Sequence, residues 1–140
     1  MSTHADAPQP SDADTFPRQY ARTQRLTLGE PRTFTVAPDG SRVVFLRSSA
    51  GDDPVNALWV LDTVTGLERI AADPRSLLDP DADASLPAAE RARRERMREG
   101  AGGITAYATD PEVRVVAFAL AGRLYVGGLL SATARELAVP

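Results

Sequence analysis

One pattern occurs twice in this sequence. Arg42-Val43-Val44 returns as Arg114-Val115-Val116, and Leu58-Trp59-Val60 as Leu124-Tyr125-Val126. Leu67-Glu68-Arg69-Ile70-Ala71 returns as Ala134-Arg135-Glu136-Leu137-Ala138. Both sets keep one order: turn, apolar strand, aromatic-containing strand, turn, outer strand. Ordered self-similarity marks a repeat architecture, in which a single unit cannot bury its apolar faces alone. A lone meander or small sandwich would supply similar strands but not the same segments in the same order.

The local chemistry of each unit is that of short antiparallel strands joined by hairpins. Phe34–Ala37 reads as a strand and Pro38-Asp39-Gly40-Ser41 as a tight turn. There proline presets φ, aspartate hydrogen-bonds back to the backbone and glycine accepts positive φ. Arg42–Arg47, Ala57–Leu61 and Leu67–Ala71 follow as strands, with Asp62–Gly66 as a second turn. The second set is Ile104–Thr109, Val113–Leu120, Arg123–Val126 and Ala134–Ala138. In it Asp110-Pro111-Glu112 stands where the first set has Pro38-Asp39-Gly40, and Ala121-Gly122 turns the chain. Four strands per unit, repeated, describe two blades of a β-propeller. The aromatic residues Phe34, Phe45, Trp59, Phe118 and Tyr125 are expected to pack between blades, not to stack on a ligand.

One helix is expected between the units. Ser85–Glu99 (SLPAAERARRERMRE) has a serine at the N-cap, Pro87 in the first turn, and Glu90–Arg94 and Glu95–Arg98 pairs at helical spacing. Gly100, Gly102 and Gly103 end it. Its few apolar residues make it a charged surface helix. The alternation in Arg25-Leu26-Thr27-Leu28 suggests a short strand in the lead-in.

The fold class expected is therefore all-β: two four-stranded antiparallel blades of an incomplete propeller, with the charged helix inserted between them. Residues 1–15 form a disordered leader and 16–32 a lead-in segment. Residues 33–72 are the first blade, 73–103 the loop and helix insertion, and 104–140 the second blade. A chain of 140 residues is about two blades long, too short for a closed ring.

Residue types remove many mechanisms. There is no cysteine, so no disulfide, thiolate nucleophile or cysteine metal site. The one histidine, His4, lies in the polar leader, which leaves no candidate for a Ser-His-Asp triad. All 16 basic residues are arginine, so lysine chemistry is absent. A net charge of −3 and a pI near 5.1 argue against a nucleic-acid protein. The glutamates of the helix interrupt its arginines and make them a solvated face. No stretch reaches the length of a membrane span and the N-terminus lacks a secretory signal, so a cytoplasmic location is expected. No catalytic, cofactor-binding or metal-binding residue is assigned, and no cofactor is expected.

Tyr20-Ala21-Arg22-Thr23, Leu28-Gly29-Glu30-Pro31 and the run Phe34–Arg47 resemble the start of the N-terminal propeller of bacterial dipeptidyl peptidase IV-like enzymes, within the prolyl oligopeptidase family of serine peptidases. The helix Glu90–Glu99 followed by Gly103-Ile104-Thr105-Ala106-Tyr107 resembles the insertion between the first two blades of that group. The resemblance spans residues 16–140. It implies a parent with an eight-bladed propeller over an α/β-hydrolase domain that releases dipeptides from free peptide N-termini. There, an adjacent glutamate pair would hold the substrate ammonium, and a serine in a nucleophile elbow would attack with aspartate and histidine completing the triad.

This chain carries none of those parts. It has no Gly-x-Ser-x-Gly, and no two of its glutamates are adjacent. The chain is thus expected to be a structural, gating fragment, inactive alone, whose partners in the parent are the remaining blades, the hydrolase domain and peptide substrates. The alternative is a non-enzymatic propeller interaction module. In either case exposed blade faces are expected to drive self-association of the fragment.

Overall fold

A computed structural model describes residues 15–77, 87–100 and 103–138. The expected leader up to residue 14 with His4, the Ser85 cap and Gly102 lie outside the described residues. So do the side chains of Arg94, Glu95 and Arg98 that the helical pairs require.

The structure is mostly β. Strands β1 (Arg32–Val36), β2 (Arg42–Ser48), β3 (Asn56–Asp62) and β4 (Glu68–Ala72) form one sheet in the order β1-β2-β3-β4. Strands β5 (Tyr107–Thr109), β6 (Val115–Leu120), β7 (Arg123–Gly128) and β8 (Thr133–Leu137) form a second in the order β5-β6-β7-β8. All neighbours within each sheet are antiparallel. Two four-stranded meanders packed face to face are propeller-type blades, as the repeat requires. The helices are α1 (Phe16–Arg22), α2 (Pro74–Leu77) and α3 (Ala88–Gly100). Within α3, Glu90 pairs with Arg93 at 2.8 Å.

The core lies between the sheets and follows the period-two alternation of strands. Val44, Leu46, Leu58 and Val60 of the first sheet face Val116, Phe118, Leu120 and Tyr125 of the second, all nearly inaccessible. The Phe118 and Tyr125 rings stack with centroids 5.5 Å apart. Burying such side chains is worth about 1.5–3 kcal/mol each, so this seam is the main cohesive element.

Polar groups tie the same seam. The Arg42 guanidinium donates to the carbonyls of Glu112 (2.9 Å) and Val113 (3.2 Å). Arg69 donates to the Leu129 carbonyl. The Tyr107 hydroxyl sits among the Thr33 carbonyl, the Val44 carbonyl at 3.1 Å and the Thr35 hydroxyl at 2.8 Å. Its pKa is raised by burial, against the opposing hydrogen bond to Thr35. Gly103 forms an isolated parallel bridge with Asn56, and Ile104 N–H donates to the Asn56 carbonyl at 3.0 Å.

Several sequence expectations are corrected. Arg25–Leu28 is not a strand. The chain leaves α1 in a tight left-handed turn, with φ of 48°, 65° and 63° at Gln24, Arg25 and Leu26. The Thr23 hydroxyl and carbonyl take the N–H groups that a strand would offer a neighbour. The loop expected from residue 73 begins as α2, because the Asp73 carboxylate caps the Arg75 N–H at 3.0 Å. The strand expected from Ile104 starts only at Tyr107, since Ile104 is drawn to the first blade.

The repeat register also shifts by one residue. Phe45 pairs with Trp59, and Phe118 with Tyr125. Phe45 is therefore the counterpart of Phe118, and Arg42 that of Val115 rather than Arg114. The turns agree with this register. Gly40 N–H donates to the Ala37 carbonyl at 2.8 Å, and Val113 N–H to the Asp110 carbonyl at 3.0 Å. Pro38-Asp39-Gly40 thus corresponds to Pro111-Glu112-Val113.

Candidate functional site

The feature that stands out is the face of the first sheet turned away from the second. In-register partners Phe45, Trp59 and Ile70 lie side by side across β2, β3 and β4. Phe34 joins them from β1, its ring centroid 5.9 Å from that of Phe45. Phe34 is 61% exposed and Ile70 39%, whereas Phe45 is buried at 3%, with the Phe34 ring and the Arg47 guanidinium against it. These residues form an apolar row across all four strands of the sheet.

One cation lies on the row. The Arg47 guanidinium sits 4.2 Å from the Trp59 ring centroid and 5.4 Å from that of Phe45. It reaches past the indole to Glu68 at 2.8 Å. The Trp59 indole N–H donates to the Arg47 carbonyl at 3.1 Å, which fixes the ring against the sheet. Cation–π contact and the ion pair together hold the guanidinium in place.

The second sheet has a complementary outer face. Val115, Ala117, Ala119, Leu124 and Val126 point away from the first sheet, with Val115 45% and Leu124 38% exposed. The aromatic residues therefore divide. Phe118 and Tyr125 pack between the blades as the sequence suggests. Phe34 and Trp59 lie on the outer face of the first sheet, a split that strand alternation alone could not assign without knowing which face meets the other blade.

A cleft of about 310 Å³ lies where β4 and α2 meet the start of β8, lined by Ile70, Ala72, Asp73, Leu77, Ala132 and Ala134 among others. Of its polar groups, the Asp73 carboxylate caps α2. Among the described residues there is no cluster of three or more His, Cys, Asp or Glu suited to a metal ion. Among them, too, no helix is long and apolar enough to cross a membrane.

Among the described residues, the carboxylate with the largest resolved shift is Asp53, in the β2–β3 loop. Burial would raise its pKa, but donors from Arg75 (3.0 Å), Ser49 (2.6 Å) and the Val55 N–H (2.9 Å) outweigh that and hold it at about 2. Arg75 is on α2, so this ion pair ties the loop to the segment after the first blade. Its role is structural: a carboxylate held at about 2 is too weak a base to activate the Ser49 hydroxyl beside it.

The fold defines the class, a pair of adjacent propeller blades whose outer faces are uncovered among the described residues. The chain matches no protein-family model. A solved structure from a study titled "Structural and Mechanistic Analysis of Two Prolyl Endopeptidases: Role of Inter-Domain Dynamics in Catalysis and Specificity" is similar to it, with a TM-score of 0.52 at 17% sequence identity. The match covers 85% of this chain and 15% of that one, so the present chain corresponds to a small part of the longer protein. At that identity the likeness is one of fold.

Proposed function

We propose that this chain supplies the first blades of the propeller of a serine peptidase in the prolyl oligopeptidase family, within its dipeptidyl peptidase IV-like group. The observation that carries the proposal is the pair of stacked four-stranded sheets, most of whose chain overlays part of a prolyl endopeptidase structure. The charged helix between the sheets, followed by Gly103-Ile104-Thr105-Ala106-Tyr107, supports the narrower assignment.

In this proposal the blades have an architectural role. They form part of a wall that limits access of folded proteins to a hydrolase domain, while short peptides pass. Dipeptide release belongs to residues outside this chain, whose sequence carries no Gly-x-Ser-x-Gly elbow and has His4 as its one histidine. Further blades and an α/β-hydrolase domain are the partners, and the parent works in the cytoplasm.

The test is the coding sequence after codon 140. A continuation with a Gly-x-Ser-x-Gly elbow and an adjacent glutamate pair supports the peptidase. A continuation with further blades alone favours a non-enzymatic interaction module. The 140-residue chain itself is expected to give no turnover of a dipeptidyl chromogenic substrate; turnover would sink the proposal.

A further inference from the structure

We propose that the 140-residue chain associates with further copies of itself head to tail, the outer face of its second sheet receiving the Phe34–Phe45–Trp59 face of the next copy. This rests on the internal repeat and concerns the 140-residue chain by itself; in a longer protein of the kind proposed above, a following blade would take the second sheet's outer face.

The interface inside the chain is the template. The first sheet offers Val44, Leu46, Leu58 and Val60, and the second covers them with Val116, Phe118, Leu120 and Tyr125, with Tyr107 packed beside them. In the register fixed by strand pairing, the counterparts of the covered residues are Ala117, Ala119, Leu124 and Val126. These form the second sheet's outer face. The counterparts of the covering residues are Val43, Phe45, Arg47 and Trp59, with Phe34 in place of Tyr107, and these form the first sheet's outer face, Arg47 standing where the second sheet has Leu120. One copy therefore carries both halves of the seam, each at the wrong end to meet the other. The size changes run in opposite senses and offset each other in part: alanines replace Val44 and Leu46 on the receiving side, and tryptophan replaces tyrosine on the inserting side.

A polar contact repeats as well. Arg69, opposite Val60 in the pairing, donates to the Leu129 carbonyl of the other sheet. Its counterpart is Arg135, opposite Val126. Arg135 is exposed and makes no hydrogen bond or ion pair among the described residues. The counterpart of Leu129 is Thr63: Leu129 N–H donates to the Arg114 carbonyl, and Thr63 N–H to the equivalent Ser41 carbonyl. The contact expected is Arg135 of one copy donating to the carbonyl of Thr63 on the next. Because the two faces differ, the contact is heterologous and runs past a dimer, to a ring or an open filament.

The test is sedimentation of the full chain over a range of concentrations. Wild type is expected to form species larger than a dimer. Trp59→Glu blocks one face and Leu124→Glu the other, so each variant alone is expected to be monomeric. Their mixture retains one intact pair of faces and is expected to stop at a one-to-one heterodimer. A wild-type monomer, a terminal wild-type dimer, association of either variant alone, or failure of the folded variants to pair each overturns the proposal. Should either variant lose its β-sheet circular dichroism, Arg135→Ala decides the matter. It removes only an exposed guanidinium and is expected to weaken association about tenfold with melting unchanged. Unaltered association of Arg135→Ala counts against the proposal.

Discussion

Val113 occupies, in the turn before β6, the backbone position that Gly40 occupies in the turn before β2. Both are left-handed, with φ of +54° and +73°. Glycine takes that conformation freely, whereas a β-branched residue there is strained by about 1–2 kcal/mol. What holds Val113 in place is burial, at 2% exposure in the core between the sheets. A Cβ at Gly40 would meet nothing within 4 Å. Gly40→Ala is therefore expected to lower stability by backbone strain alone, about 1 kcal/mol. Val113→Gly relieves strain but loses a buried side chain worth about 1.5–3 kcal/mol and gains unfolded-state freedom, so it is also expected to destabilise. Urea midpoints of the two variants check this, and a stabilised Val113→Gly would show that strain outweighs packing.

Arg42 bridges the sheets through two carbonyls on one turn. Removing it leaves two acceptors short of a charged donor, for which about 1–3 kcal/mol is the expected loss in Arg42→Ala. Arg42→Lys keeps the charge but not the fork, so it is expected to recover less than half of that loss. Equal stability of Arg42→Lys and wild type would show that charge and not geometry is what counts.

Gly103 is where the chain rejoins the first blade. A Cβ built on it would lie 2.5 Å from the Asn56 carbonyl oxygen and 2.8 Å from the Asn56 nitrogen, and its φ is +69°. Both obstacles are backbone and cannot swing aside. Gly103→Ala is expected to cost about 2–3 kcal/mol and to break the bridge to Asn56. Amide hydrogen exchange at Ile104 reports the break directly; retained protection there would contradict it.

Acid should loosen the β2–β3 loop before it unfolds the sheets. The Asp53 carboxyl titrates near 2 in the folded chain, below its ordinary value of 3.8. A depressed folded value means that the folded state binds fewer protons, so the stabilisation is complete above about pH 5 and fades as pH falls through 3.8 toward 2. With Arg75 half exposed, solvent screening reduces the contribution to about 1 kcal/mol. Asp53→Asn is expected to flatten that acid limb of the stability curve. An unchanged slope between pH 5 and 2 would assign the limb to other carboxylates.

The strands were legible because alternating apolar residues and turn chemistry are local signals. Arg42–Arg47 and Ala57–Leu61 fall within one residue of the observed β2 and β3. The repeat was legible too, but its register slipped by one in the second turn. Asp39 in the first turn accepts the Ser41 N–H, whereas in the second the carboxylate sits at Asp110, the counterpart of Ala37, and accepts the Arg114 and Val115 N–H groups. The same backbone shape is held from a different position, and a sequence match follows the residue, not the shape. Left-handed valine hides the turn further, because nothing in its chemistry announces positive φ. The outer aromatic face was only half legible. Alternation groups Phe45 with Trp59, but which face meets the other blade depends on contacts distant in sequence, such as Arg42 to Glu112 and Tyr107 to Val44.

The strand order within each sheet has a consequence for synthesis. Every strand pairs with its neighbour in sequence, so a blade can close as soon as its fourth strand leaves the ribosome, without waiting for distant chain. Between that moment and the emergence of β6 and β7, Leu46 and Leu58 have no cover. The nascent chain passes through an interval of half-protected blade, and the stretch from α2 through α3 sets how long that interval lasts.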